Sequence, residues 1–158
     1  MSENSIAPTA SSQARARALQ QLRTVAANAQ EVLASATTVF PLDLFPDTVT
    51  VDRSQVTLSQ RTFFWMGDVT SIRIEDILNV TAQVGPFFGS VRISTRYFDP
   101  DKPYEVTRFW REDALRLQAV IQGLMIALKK DIDASAVDSK ELAEEAERLG
   151  QPAPTDIP

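Results

Sequence analysis

The chain has 158 residues, of which 44% are hydrophobic and 23% charged, as expected for one soluble globular domain with some additional length. It contains no cysteine and no histidine, which excludes disulfides, thiolate metal sites and catalysis by Ser-His-Asp or Cys-His groups. A net charge of -5 does not favour nucleic acid, and no apolar run approaches the roughly 20 residues of a membrane span. We therefore expect a cytoplasmic protein that is not an enzyme and holds no cofactor or metal.

Charge divides the chain into segments of different character. Residues 131–158 carry eight acidic and two basic residues, whereas residues 41–130 carry eleven of each sign. The acidic segment therefore accounts for the net negative charge. We predict a disordered N-terminus at 1–10, a helix over 11–40, a folded domain over 45–130 and an acidic tail over 131–158. Within this tail we predict a short helix at 139–149, with Ser139 as its N-cap and Gly150 as its stop, and a disordered end.

The helix predicted over 11–40 has a regular apolar pattern that ends at Pro41. Its apolar residues recur at alternating spacings of three and four: Leu19, Leu22, Ala26, Ala29, Leu33, Ala36 and Phe40. This heptad spacing has three interpretations, which are packing on the chain's own sheet, pairing with a second copy or a partner helix, and lying on a membrane surface. The last is considered because Arg15, Arg17 and Arg23 make the helix basic.

Residues 48–110 predict about seven short strands. The β-rich stretches 48–51 and 56–59 flank a polar turn at 52–55 and indicate a hairpin. Apolar alternation and turn residues predict the remaining strands at 62–66, 69–74, 77–84, 89–98 and 104–110. Strands that follow one another directly favour antiparallel pairing.

An amphipathic helix follows the last predicted strand and ends at Lys129 and Lys130. We expect one face of this helix to form the core with Trp110 and with apolar residues of the strands: Leu117, Ile121, Leu124, Leu128, Val49, Val51, Val56, Ile72, Val91 and Ile93. Gly123 inside the helix costs about 1 kcal/mol relative to alanine, which indicates close packing against a strand or another helix. The predicted fold is α+β, an antiparallel β-barrel or two-sheet sandwich of about seven strands capped by a C-terminal helix, with an added N-terminal helix.

Three motifs and the order of the elements resemble the pleckstrin-homology-like (PH-like) domains of bacteria over about residues 47–130. The motifs are TVTVDRSQVTL at 48–58, IRIEDILNV at 72–80 and FGSVRI at 88–93. Such domains act mostly as binding and assembly modules, so the resemblance implies a non-catalytic function. Eukaryotic relatives bind phospholipids through a basic cluster in the first hairpin, where this chain has only Arg53 beside Asp52. No membrane span accompanies the domain, unlike the family's common pattern.

Two further groups of residues are candidates for binding a partner. Phe87 and Phe88 follow Gly85-Pro86 and would form an apolar contact for a membrane or a protein if exposed, although we favour their burial at one end of the barrel. Arg92 and Arg96 share one strand face, where a basic patch would suit phosphate groups. We favour instead their pairing with Glu75, Asp99 or Glu105 across strands.

The sequence thus predicts a binding or scaffolding module that mediates protein-protein interaction or self-association. The residues predicted to contact a partner are Leu19, Leu22, Ala26, Ala29, Leu33, Phe87, Phe88, Arg92 and Arg96. The alternative is a peripheral membrane or lipid-binding protein that uses the basic N-terminal helix and Phe87-Phe88.

Overall fold

The computed structural model of the protein describes residues 10–29, 31–40, 44–63, 66–97, 103–134 and 136–151. These residues form three α-helices, seven strands and one 3₁₀ turn. The helices are α1 (Ala10–Ala29), α2 (Arg111–Lys129) and α3 (Ser139–Gly150). The strands are β1 (Ala34–Thr37), β2 (Thr48–Val51), β3 (Gln55–Phe63), β4 (Met66–Arg73), β5 (Ile77–Val84), β6 (Phe88–Thr95) and β7 (Tyr104–Trp110), and the 3₁₀ turn Ile74–Asp76 joins β4 to β5.

The strands form two antiparallel sheets, which confirms the predicted α+β class. One sheet has the order β1-β2-β3-β4 and the other has the order β5-β6-β7. A backbone hydrogen bond of 2.9 Å from the Val39 N–H to the Arg108 carbonyl joins the segment after β1 to β7. α2 contacts strands of both sheets, including β1, β5 and β6, so its apolar face lies over the space between them.

The prediction of one helix over 11–40 is wrong beyond Ala29, where α1 ends, because the chain then forms the strand β1. Ala34 pairs with Val51 of β2 and Ala36 pairs with Val49. Both alanines are buried while Ser35 is exposed, which is the period of a strand. Pairing with β2 therefore overrides the high helix propensity of alanine.

The aromatic stretch 62–66 is not a separate strand. β3 runs to Phe63 and β4 begins at Met66, and these two residues are partners across the β3-β4 hairpin. Phe64 and Trp65 lie outside the described residues. The described residues form seven strands, in agreement with the predicted number of about seven. The number is the same because β1 was not predicted and the strand predicted at 62–66 is not a separate one.

The core lies between the sheets and α2 and includes most of the predicted residues. Leu117 and Ile121 of α2 are buried against strand residues such as Val51, Ile93 and Phe109. The predicted burial is wrong for two residues, since Trp110 is 51% exposed and Leu128 is 52% exposed. Leu128 borders an open cleft between the last turn of α2 and the 3₁₀ turn, which leaves part of its side chain in water.

The acidic segment after residue 130 extends the folded domain beyond its predicted end. α3 packs on α2 and buries Leu142, Ala143 and Ala146. Its N-cap is Asp138, whose carboxylate accepts a hydrogen bond of 3.1 Å from the Lys140 N–H, and not the predicted Ser139. Gly150 is the last residue of the helix, and its missing Cβ leaves room for the backbone of α2.

Candidate binding surfaces

Helix α1 presents its described side chains to solvent. Leu22 is 64% exposed, and Leu19 and Ala26 are exposed as well. The side chain of Ala29 is not described. The structure therefore does not place this helix as a cover on the chain's own sheet, and it leaves Leu19 and Leu22 available to a partner.

Leu33 belongs to the core and not to this surface. Its side chain is buried, and its N–H donates a hydrogen bond of 2.8 Å to the carbonyl of Val51. The reason is its position directly before β1, where the chain has already joined the sheet. The apolar surface on α1 is therefore shorter than the predicted seam and is formed by Leu19, Leu22 and Ala26.

The charge of α1 differs from that of the domain behind it. Residues 10–29 include Arg15, Arg17 and Arg23 and no acidic residue. Residues 31–151 carry nineteen acidic and thirteen basic residues. A basic helix therefore projects from an acidic domain, which favours association of the helix with a surface of negative charge.

A second exposed surface, the aromatic cluster, consists of Phe87, Phe88 and Trp110. Phe87 is 68% exposed, and the rings of Phe88 and Trp110 stack with their centroids 5.3 Å apart. The expected burial of Phe87 and Phe88 is therefore wrong. Phe88 and Trp110 are partners across β6 and β7, and both side chains lie on the outer face of the sheet.

The turn that carries Phe87 is fixed to the start of α2. The Arg111 N–H donates to the Phe87 carbonyl at 2.9 Å, and Arg111 Nη1 donates to the Gly85 carbonyl at 3.1 Å. Gly89 has no room for a Cβ atom beside Ala114, which brings β6 close to α2. The aromatic cluster is thus held in place by backbone contacts, an arrangement that limits the entropy lost on binding.

Trp110 belongs to this cluster because of a bulge in β7. Val91 of β6 pairs with Val106 and Gly89 pairs with Phe109, so two residues of β7 lie opposite one residue of β6. Arg108 in the bulge has a φ of 70°. The extra residue reverses the alternation, so that Phe109 points into the core and Trp110 points outward. If the alternation that begins at Tyr104 and Val106 continued without the bulge, Trp110 would point into the core and Phe109 would point outward.

The arginines considered for a basic patch are paired with carboxylates or lie apart. Arg92 Nη2 lies 3.1 Å from Glu105 Oε2, as expected from their cross-strand positions. Arg73 contacts Asp76 and Glu75 at 2.9 Å each, and these carboxylates raise the pKa of Arg73. Arg96 is exposed at the end of β6. These contacts neutralise the positive charges of Arg92 and Arg73.

Arg53 in the β2-β3 turn faces the protein interior. Its Nη1 donates to the Ala134 carbonyl and its Nη2 to the Val137 carbonyl, each at 2.6 Å, and Nη2 lies 2.9 Å from Glu31 Oε2. Hydrogen bonds from Ser139 and Arg53 lower the pKa of Glu31. The guanidinium therefore joins the segment after α1 to the α2-α3 loop.

Comparison of the chain with protein-family models, with curated proteins and with solved structures finds no match. Among the helices that the structure describes, none is long and apolar enough to cross a bilayer. Within the described ranges, no group of three or more acidic side chains is placed to hold a metal ion. The exposed face of α1 and the aromatic cluster are the surfaces from which a function is argued below.

Proposed function

We propose that this chain is a non-catalytic PH-like binding module that self-associates through α1. The order of the elements supports the PH-like assignment, since a four-stranded sheet is followed by a three-stranded sheet and then by a long helix. The observation that carries the function is the exposure of Leu19 and Leu22 on a helix without acidic residues.

An exposed helix of this kind gains stability from a partner. Helix nucleation is costly, and most of the stability of helices in proteins comes from packing of an apolar face and not from helix propensity. Burying one leucine contributes roughly 1.5–3 kcal/mol, so covering Leu19 and Leu22 would stabilise both the helix and the complex.

The positive charge of α1 favours one binding surface over another. Two copies of α1 packed on each other would bring three arginines from each chain together without opposing acids. The helix α3 of a second copy, which carries four glutamates and two basic residues, is a better partner. A groove between α2 and α3 is lined by Leu115, Glu112, Glu147 and Arg116. Arg116 pairs with Glu147 at 3.4 Å, so the groove offers an apolar contact at Leu115 with the negative charge of Glu112 beside it.

Light scattering of the full chain during size-exclusion chromatography tests this function. We expect a mass above that of one chain, and we expect Leu22→Glu to reduce it to the monomer. Gln21→Glu introduces the same charge on the neighbouring residue and should leave the mass unchanged. Because the proposed contact pairs arginines with acids, higher salt should also favour the monomer. A wild-type chain that is monomeric at all concentrations would rule out self-association.

A second function, peripheral membrane binding, is supported by the exposure of the aromatic cluster. Aromatic rings beside basic residues are typical of proteins that lie at the bilayer interface. Flotation with vesicles of phosphatidylcholine and phosphatidylserine tests this function in the full chain. Phe87→Ser should abolish flotation, whereas Tyr97→Ser, at another exposed aromatic residue, should not. A wild-type chain that stays with the soluble fraction would exclude this function.

A further inference from the structure

The strand β4 forms one edge of the four-stranded sheet, with β3 on one side and, among the described residues, no strand on the other. The Ile74 N–H, directly after β4, donates to the Ser54 carbonyl at 2.8 Å. In an antiparallel ladder every second residue bonds to the neighbouring strand, and the residues between them direct their backbone groups the other way. The register of β3 and β4 therefore identifies the residues whose N–H and carbonyl groups point away from β3, which are Val69, Ser71 and Arg73.

This edge lacks the features that usually prevent a sheet from pairing with another chain. Natural edge strands are protected by charged residues, by proline or by a bulge, or they are covered by another element. The four residues from Val69 to Ile72 are uncharged and include no proline. The register with β3 is regular over residues 67–73. The edge of β4 is therefore a template on which one more strand can pair.

Open space borders this edge of the sheet. A cavity between the two sheets is lined by the consecutive residues Val69 to Arg73 of β4, and by the end of β6 and the start of β7. Successive residues of a strand face opposite sides of the sheet, so a space lined by all of them lies beside the strand edge and not only under one face. Thr70 and Ile72 are more buried than their neighbours and mark the inward face. Every second side chain of an added strand would point inward beside them.

The charges near the edge favour uncharged side chains at these inward positions. Arg73 and Asp76 are the charged residues among those that line the cavity, and they contact each other at 2.9 Å. A charged side chain directed inward would have to compete with this pair. The same reason disfavours β4 of a second copy as the added strand, because Asp68 lies on the same strand face as Thr70 and Ile72 and would enter with it.

We propose that the edge of β4 binds an extended segment of another protein, which adds a strand to the sheet antiparallel to β4. The backbone of this segment exchanges hydrogen bonds with Val69, Ser71 and Arg73, and its inward side chains are apolar. Antiparallel addition continues the pairing of the described strands in this sheet, and antiparallel pairs are slightly more stable than parallel ones. The contact uses neither α1 nor the aromatic cluster, so it is independent of the proposed self-association.

A synthetic peptide of sequence Lys-Val-Thr-Val-Thr-Val-Lys, blocked at both ends, tests the proposal with the full chain by isothermal titration calorimetry. When its valines point inward, its threonines lie opposite the edge residues in hydrogen-bonded pairs, so their N–H groups face β4. N-methylation of the threonines should weaken binding by at least about tenfold, because it removes these donors, whereas N-methylation of the valines should have little effect. No binding of the unmodified peptide, equal effects of the two methylations, or a greater loss with methylated valines would overturn the proposal.

Two substitutions of Ser71 test the same contact from the side of the protein. Ser71→Pro removes an N–H that is not bonded to β3, a change that edge strands tolerate, and should weaken binding of the unmodified peptide by about tenfold. Ser71→Ala keeps the N–H and should leave binding unchanged. The melting temperature shows whether each variant is folded, and the methylated peptides decide the question if Ser71→Pro is not.

Hydrogen exchange distinguishes a peptide partner from a second copy. The unmodified peptide should slow exchange of the Val69 and Ser71 amides in ¹H–¹⁵N spectra, because both become hydrogen-bonded. In the free protein these amides should exchange quickly at every protein concentration. Slow exchange in the free protein that increases with its concentration would assign the edge to a second copy and overturn the proposal.

Discussion

Gly123 of α2 lies directly against Ala146 of α3, and a Cβ atom on Gly123 would overlap the Ala146 carbonyl group. In the same way, Gly150 of α3 lies against the carbonyl group of Ala119 of α2. These two glycines allow α2 and α3 to approach to backbone contact. The approach buries Leu142 and makes the acidic segment part of the folded domain.

We expect Gly123→Ala to lower the free energy of unfolding by roughly 1–3 kcal/mol, because backbone atoms that meet the new methyl group cannot move aside. This loss would occur although alanine is favoured over glycine in a helix by about 1 kcal/mol. Urea unfolding measures the change. Gln122→Ala, at the preceding residue, is the control and should change stability by less than about 0.5 kcal/mol. A stabilised Gly123→Ala variant would contradict this packing of α2 and α3.

Leu124 and Leu128 lie one turn apart on α2 and should respond differently to truncation. Leu124 is 5% exposed and Leu128 is 52% exposed, although the sequence pattern predicts both in the core. Leu124→Ala should cost about 2–5 kcal/mol, since it leaves a cavity in the core. Leu128→Ala should cost clearly less, because part of that side chain is already in water. Equal losses in chemical denaturation would show that α2 is rotated or extends differently.

The sequence predicts the regular elements of the domain well where a single period continues. The hairpin of β2 and β3, the strand β6 and the helix α2 follow regular apolar patterns. The strands β5 and β7 also have the predicted bounds, although the pairing of each contains an irregularity. The prediction is wrong at β1, because Leu33 and Ala36 fit a helical spacing and the pairing of β1 with β2 is not a local property. Tertiary pairing overrides local propensity there.

The surfaces were predicted less well, for two physical reasons. The bulge at Arg108 shifts the alternation of β7, so Trp110 is exposed and joins Phe88 in the aromatic cluster. A sequence pattern does not contain that shift, because Arg108 is not a glycine and gives no sign of a positive φ. The cavity between the sheets that is lined by Ile72, Thr95 and Tyr104 also depends on the separation of the two sheets, which residue spacing along one strand does not determine.

Asp131, the second residue after the end of α2, lies in the left-handed region, with a φ of 55°. Its N–H donates to the Leu128 carbonyl and the Ile132 N–H donates to the Ala127 carbonyl, which is the Schellman arrangement. Glycine is favoured at this position since it has no Cβ to clash with the backbone. Asp131→Gly should therefore raise stability in urea unfolding, by less than the roughly 1–2 kcal/mol that this conformation costs most residues, because aspartate tolerates it better. Asp133→Gly, two residues further on, should give no comparable gain.

Glu31 makes the stability of the domain depend on pH. Hydrogen bonds from Ser139 and Arg53 favour its carboxylate in the folded chain and lower its pKa below the ordinary value of 4.5. The resulting stabilisation is present above pH 4.5 and is lost as the pH falls through the lower pKa of the folded state. We therefore expect Glu31→Gln to have a lower melting temperature than the wild type at neutral pH. The difference should decrease with acidification and disappear once both states are protonated. Glu144→Gln, which removes an exposed carboxylate of α3, is the control. A difference between wild type and Glu31→Gln that stays constant from neutral to acidic pH would contradict this role of Glu31.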